Sequence, residues 1–174
     1  MTKSSIKQLN EDENKILAEL QANCRENIDT IAKHCGFSRQ KVWRLIKKLE
    51  EEKKIWGYAA ITDEETNDLK HYILLIQRSS APLQESHKKE LIFEKVDKYL
   101  PGMVKVDDVY YTHGVHDLMI TFFAHDITNA KKFAQEVFEK NRNMLKDYTI
   151  LQTLFPIRMK GFKNPQMKKI VEFI

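Results

Sequence analysis

Ser38-Arg39-Gln40-Lys41-Val42-Trp43-Arg44-Leu45-Ile46-Lys47-Lys48-Leu49 is the stretch from which the rest of the chain is read. Val42, Leu45, Ile46 and Leu49 recur at i, i+3, i+4 and i+7, which lines four apolar side chains along one stripe of a helix. Gln40, Trp43, Arg44 and Lys47 recur at the same spacing on the other side. The stretch holds five cations and no acid. Ser38 is suited to cap it, because a serine hydroxyl accepts a first-turn N–H. Such a helix packs a core with one face and offers cations, an amide and an indole with the other. A DNA groove takes that chemistry: cations meet phosphates, and long polar side chains reach base edges. The competing reading is a solvated basic face on an ordinary helix.

Working towards the N-terminus, Cys35-Gly36-Phe37 reads as a turn, with Gly36 free to take the positive φ that ends a helix. Asn27–His34 reads as a short helix capped by Asn27, with Ile28, Ile31 and Ala32 inward. Asp12–Asn23 reads as another, with Ile16, Leu17 and Leu20 on one face, Asn10 as cap and Glu13 three residues on. Two short helices joined by a glycine turn, the second cationic, form a helix-turn-helix pattern. Towards the C-terminus, Ile55–Ile61 is strand-like and reads as a small wing or as the strand leaving the domain. Trp56 and Tyr58 are expected mainly to pack the wing and the junction. The acidic segment Thr62–Asp68 is the expected boundary. The divisions are a DNA-binding unit over 1–61, a linker over 62–69, a second domain over 70–159 and a tail over 160–174.

In the second domain the pattern predicts a strand over His71–Arg78, a loop at Pro82, a helix over Lys88–Leu100 stopped by Pro101-Gly102, and a strand over Met103–Thr112. In the last, Val104, Val106, Tyr110 and Thr112 are assigned to one side and Asp107, Val109 and Tyr111 to the other. Leu118–Ala124 is a third strand. Asp126 caps a helix reaching about Leu145, and Tyr148–Ile157 is a fourth strand. Strand, helix, strand, strand, helix, strand is the ferredoxin-like βαββαβ plan, so the chain as a whole is α+β. One face of such a sheet stays open; Ile73, Leu75, Met119, Thr121 and Phe123, or their alternates, would line it and ask for a second copy. Asn164–Ile174 reads as an amphipathic helix with Met167, Ile170, Val171 and Ile174 on its stripe, docking on its own domain or a neighbour.

Length and charge agree with two domains. The 174 residues are 42% hydrophobic, enough for cores. Net charge is +3 over residues 1–61, −2 over 62–159 and +3 over 160–174, which places an anionic partner at the first unit. No apolar run matches a membrane span or a signal peptide, so a soluble cytoplasmic protein without a membrane partner is expected. Cys24 and Cys35 are expected as buried thiols rather than a disulfide, and no zinc spacing or cofactor motif is found.

The residues also carry a resemblance. Leu9-x-x-Asp12-x-x-x-Ile16-Leu17-x-x-Leu20-Gln21-x-Asn23-x-Arg25, Ile31-Ala32, Gly36-Phe37-Ser38, Val42-x-Arg44, Leu49-Glu50, Ile55-x-Gly57-Tyr58 and Gly114-Val115-His116-Asp117 follow one another as in the Lrp/AsnC (feast/famine) transcriptional regulators. The chain resembles that family over about residues 9–157. The resemblance implies a DNA-reading N-terminal domain whose recognition helix maps onto Ser38–Glu52. It also implies a C-terminal domain that dimerises, often assembles further to tetramers or octamers, and often binds an amino acid at the Gly114–Asp117 turn, with a neighbouring subunit completing the pocket. The chain departs from the family pattern at Asn10, at Lys53 (a glycine in the family), at His113 (commonly threonine) and in its tail.

Expected DNA contacts are Ser38, Arg39, Gln40, Lys41, Trp43 and Arg44 in the major groove of double-stranded DNA, with Lys47 and Lys48 on phosphates or solvated. Arg44 has two open readings, DNA contact or a brace for the turn. His113, Gly114, His116 and Asp117 are the expected effector residues; a plain hairpin held by an Asp117 side-chain bond is the alternative. A metal reading of the two histidines and Asp117 lacks a fourth ligand. An enzyme resembling the siroheme decarboxylases is the rival on the same architecture, with His71, His87, His113, His116 and Tyr110 to offer. A DNA-bridging architectural protein is the third class.

Overall fold

The computed structural model describes residues 3–80 and 102–174. The contacts divide into two compact units, Met1–Ala60 and Ile61–Ile174. The first contains α1 (Lys3–Ala22), α2 (Ile28–Cys35) and α3 (Arg39–Glu51). Its core is Ile16, Ile31, Ala32, Val42, Leu45 and Leu49, with Leu17, Leu20, Ile28, Cys35, Phe37, Ile46 and Ile55 packed around them. Those are the inward stripes of the three helices. Asn27 Oδ1 accepts the Thr30 amide at 2.8 Å and caps α2. Gly36, at φ 69°, ends α2 in the left-handed conformation and lets Phe37 N–H reach the Ala32 carbonyl at 2.9 Å. Ser38 Oγ accepts the Lys41 amide at 3.2 Å, so α3 starts where its cap predicts.

Four expectations for this unit are corrected. The backbone is already helical from Lys3, so Asn10 lies inside α1 and caps nothing. Residues 55–61 form no strand, because nothing described in this unit offers a ladder partner; Ile55 N–H instead bonds back to the Leu49 carbonyl at 3.1 Å. Trp56 is 96% exposed and packs nothing in its unit, while Tyr58 donates to Glu50 Oε1 at 3.0 Å. Burial and that bond push the Tyr58 phenol up to about 12. Cys24 is exposed rather than buried, and both thiols are free.

The second unit is a four-stranded antiparallel sheet of β1 (Lys70–Arg78), β2 (Val104–Tyr111), β3 (Leu118–Ala124) and β4 (Leu145–Gln152), ordered β2-β3-β1-β4, with α4 (Ile127–Lys140) on one face. This is the order of a ferredoxin-like sheet. The helix expected over Lys88–Leu100, with Pro82 and His87, lies outside the described residues. Tyr72, Leu74, Ile76, Leu118, Ile120, Phe122, Ala130, Phe133, Ala134 and Val137 make the core between sheet and helix. Asp126 caps α4 through the Asn129 amide at 2.7 Å.

A bulge changes β2. Its register against β3 shifts between Val106 and Asp108, so Asp107 is an extra residue and the alternation reverses after it. Val109 therefore joins Val104 and Val106 against the core, and Tyr110 turns outward, 45% exposed. The α4 helix stops at Lys140 rather than near Leu145. Asn141 Nδ2 donates to the Val137 carbonyl at 2.7 Å, and Leu145 begins β4. Asn-Arg-Asn at 141–143 has low helix propensity, and the buried Leu145 serves a strand as well as a helix. The expected strand over Tyr148–Ile157 is accordingly shifted three residues earlier and ends at Gln152.

On the sheet face away from α4, Ile73, Leu75 and Met119 are half-buried, Leu151 is exposed, and Thr121 and Phe123 are covered by their neighbours. Leu75 pairs with Met119 and Thr149, and Ile73 with Thr121 and Leu151. Among the described residues this face is thus partly uncovered at Ile73, Leu75, Met119 and Leu151 and covered at Thr121 and Phe123. Residues 62–69 are not a free linker: Glu64–Asn67 form a 3-10 turn, and Glu64 accepts from Lys105 of β2 at 2.7 Å. The tail is no α-helix. It forms a small hairpin of β5 (Arg158–Met159) and β6 (Phe162–Lys163), then a 3-10 turn over Met167–Phe173 that leaves Val171 and Ile174 exposed. Lys160 of the hairpin bonds both oxygens of Asp108, at 2.7 and 2.6 Å. No helix among the described residues is long and apolar enough to cross a membrane.

Candidate nucleic-acid interface

The eight residues singled out on α3 and its cap have different attachments. Ser38, Arg39, Gln40, Lys41, Trp43 and Arg44, with Ile28 from α2, line an open groove of about 560 Å³. Gln40 and Arg44 are exposed, and Trp43 is 52% exposed. Lys47 Nζ sits 4.7 Å from the Trp43 ring centroid, close enough for a cation–π contact. Arg44 makes no ion pair with a described residue, and nothing there braces the turn through it.

The remaining cations are held. Lys41 Nζ pairs with Asp12 Oδ2 at 2.7 Å and lies 3.8 Å from the Phe37 ring centroid. Asp12 is buried, so this pair ties the start of α3 to α1. Lys48 Nζ meets Glu13 Oε1 at 2.5 Å, and Lys54 Nζ meets Glu13 Oε2 at 2.7 Å. The bonds to Lys48 and Lys54 outweigh burial and lower the Glu13 carboxyl below its ordinary value. Lys48 and Lys54 rise correspondingly, each first through its bond to Glu13. Lys48 is therefore committed to the fold rather than solvated. Arg39 pairs with Asp29 at 2.7 Å, but both side chains are about two-thirds exposed, so phosphate can compete for Arg39.

The sequence reading gave Glu13 only as the partner of an Asn10 cap and Asp12 only as a position of resemblance, and it gave Lys54 no role. A signal was there: Glu13 lies three residues before Ile16 and four before Leu17, on the inward stripe, where an acid needs a cation. Two buried carboxylates on α1 thus fix the roll and height of α3, leaving Gln40, Trp43, Arg44 and Lys47 outward.

The second group, His113, Gly114, His116 and Asp117, lies at the turn joining β2 and β3. Asp117 Oδ2 accepts the Arg78 amide of β1 at 2.8 Å, and Asp117 N–H donates to the Ile76 carbonyl at 2.9 Å. Thr112 Oγ1 donates to the His116 carbonyl at 2.6 Å. Arg78 Nη1 donates to the Tyr111 hydroxyl at 3.0 Å, which brings a guanidinium to the same end of the sheet. His113 is exposed and His116 half-buried. The Asp117 carboxylate thus serves the hairpin with one oxygen. His71, on the open sheet face, accepts or donates at Thr153 Oγ1, 2.6 Å away, and its imidazole is held below its ordinary value by burial.

Comparison with known proteins agrees with this geometry. A model of the winged helix-turn-helix DNA-binding family matches residues 9–55. The uncharacterized HTH-type transcriptional regulator YugG of Bacillus subtilis (strain 168) is 28% identical over 128 residues, 74% of this chain and 75% of that protein. An AsnC family transcriptional regulator from Agrobacterium tumefaciens superposes with a TM-score of 0.67 at 22% identity, covering 90% of this chain and 97% of that one. A Neisseria meningitidis transcriptional regulator, solved as a complex with L-Met, superposes with a TM-score of 0.66 at 19% identity, covering 88% and 94%. Residues 9–55 thus match the winged helix-turn-helix DNA-binding family, and the chain shares the fold of the AsnC family transcriptional regulator from Agrobacterium tumefaciens.

Proposed function

We propose that this chain reads specific sequences in double-stranded DNA through α3, as a homodimer joined by the open sheet face of its second unit. The observation that carries the reading is the division of labour on α3. Buried Asp12 and Glu13 anchor Lys41 and Lys48, while Gln40, Trp43 and Arg44 line an open groove and Lys47 stands beside the Trp43 ring. A fold that spends two buried carboxylates on orienting a helix specifies which side chains meet a ligand on its far side. Arginine pairs with guanine edges and glutamine with adenine, whereas Lys47 is placed for a phosphate. Two copies would present two such helices to half-sites about one helical turn apart.

The apolar stripe of Ile73, Leu75, Met119 and Leu151 supports the dimer, since exposed apolar sheet of this kind is ordinarily covered. Further assembly to tetramers or octamers is compatible with the same plan. An amino acid is the proposed effector, at His113, Gly114, His116 and Asp117. The other Asp117 oxygen suits an ammonium group and the Arg78 guanidinium suits a carboxylate. The L-Met complex of the Neisseria regulator adds to that reading by likeness of fold. The test is duplex selection from a random pool by the full-length chain, followed by binding at several salt concentrations. A shared motif with two half-sites and a steep salt dependence is expected. A monomer that binds no duplex at low ionic strength overturns the proposal.

A further inference from the structure

Trp43 is unusual on its helix. Among the described residues of α3 it is the large apolar side chain left more than one-third exposed, at 52%. It stands on the outward stripe between Gln40 and Lys47, and it lines the groove together with Gln40 and Arg44. Lys47 lies over the ring, 4.7 Å from its centroid, so one face of the indole is occupied by a cation. The side chain is 52% exposed, which leaves ring surface for a ligand. A phosphate contact would use only the indole's single N–H donor and give no reason for its apolar ring.

The floor of the major groove offers one apolar group, the C5-methyl of thymine. We propose that Trp43 is a specificity-determining residue that packs on thymine methyl groups, so that the operator carries thymine where the middle of α3 crosses the groove. The inference rests on the DNA-reading function proposed above and adds the chemistry of one position. Gln40, one turn earlier, and Arg44, the next residue, flank the indole with an adenine-type and a guanine-type reader. Lys47 then has two roles. Its ammonium reaches a phosphate while its position over the ring holds the indole upright.

The experiment uses full-length protein and duplexes selected from a random pool. Each thymine of the selected site is replaced in turn by deoxyuridine, which deletes the methyl group and leaves the pairing edge unchanged. At one or two positions per half-site, affinity should fall about fourfold for each methyl lost, the worth of one buried carbon. Trp43→Ala should bind more weakly but bind thymine and deoxyuridine duplexes equally. Trp43→Phe should retain part of the discrimination, showing that the loss in Trp43→Ala is not a failure to fold. Equal binding of both duplexes by the unaltered protein, or undiminished discrimination in Trp43→Ala, overturns this inference while leaving DNA reading intact. Failure to bind any duplex overturns DNA reading itself, and this inference with it.

Discussion

Glu13 of α1 and Lys48 of α3 meet at 2.5 Å, thirty-five positions apart in sequence, and the acid is almost wholly buried. Lys54 takes the other carboxylate oxygen. The folded protein holds Glu13 below its ordinary value, chiefly through Lys48, so the unfolded chain binds the proton more readily than the folded one. The stabilisation is therefore complete above the ordinary glutamate value of 4.5 and is lost as pH falls through the lowered folded value. Denaturant unfolding of the first unit should weaken on acidification below about pH 4.5, and Glu13→Gln should flatten that dependence. At neutral pH, Glu13→Ala should cost about 1–2 kcal/mol, since both lysines remain able to reach water. An acid limb that is the same in Glu13→Gln would contradict this account.

The two classes of cation on α3 should separate in DNA binding. Arg44→Ala should lower affinity and reduce the slope of log affinity against log salt by about 0.9, the release of one counterion, if Arg44 meets a phosphate. If it meets a base instead, the slope should hold and one operator position should relax. Lys48→Ala should change the thermal midpoint of the first unit more than the salt slope. Arg39 and Lys41 lie between these cases. Arg39 is released easily from exposed Asp29, whereas Lys41 leaves buried Asp12 behind. Charge reversal at both should weaken binding and flatten its salt dependence.

Met119 lies opposite Leu75 on the open sheet face, and neither contributes to the core under α4. Met119→Glu should leave the second unit folded and convert the protein to monomer. Sedimentation velocity reads the mass, and DNA affinity should fall with it because the two half-sites are no longer bound together. A dimer of undiminished stability in Met119→Glu would place the interface elsewhere.

Asp117 separates hairpin from effector. Its bond to the Arg78 amide is worth about 1–2 kcal/mol to the second unit, so Asp117→Ala should lower its melting temperature. Calorimetric titration with free amino acids should show heat of binding in the unaltered protein and none in Asp117→Ala. Absence of binding in both would leave Asp117 as a hairpin anchor alone.

Helix stripes and caps were legible because they are local. Asn27, Gly36, Ser38 and Asp126 each announce a helix terminus in their own residue type, and each is found there. What was not legible depends on partners distant in sequence. The Asp107 bulge shows only against β3, so Tyr110 was assigned inward when Val109 is. Leu145 fits a helical stripe and a strand equally, and only its place in the sheet decides. The tail has an α-helical period, but Asn164 bonds the Pro156 carbonyl and the Gln166 amide, which bends the chain into a tighter 3-10 turn. On α3 the cationic face was readable. Glu13 on the inward stripe of α1 signals that it needs a cation, but which cation takes it is decided by the packing of α3 on α1.

Lys53 stands where the family that the chain resembles has a glycine, and its backbone is left-handed, at φ 57°. Left-handed backbone costs a residue with a Cβ about 1 kcal/mol. The segment holds it because Lys53 N–H bonds the Glu50 carbonyl at 3.1 Å and Lys54 N–H bonds the Leu49 carbonyl at 2.9 Å, which end α3 and deliver Lys54 to Glu13. Lys53→Gly should therefore stabilise the first unit, but by only about 0.5 kcal/mol, because glycine also gains freedom in the unfolded chain. Lys53→Ala keeps the Cβ and should give no such gain. A stabilisation by alanine equal to that by glycine would show that the lysine charge, and not the backbone, sets the cost at this turn.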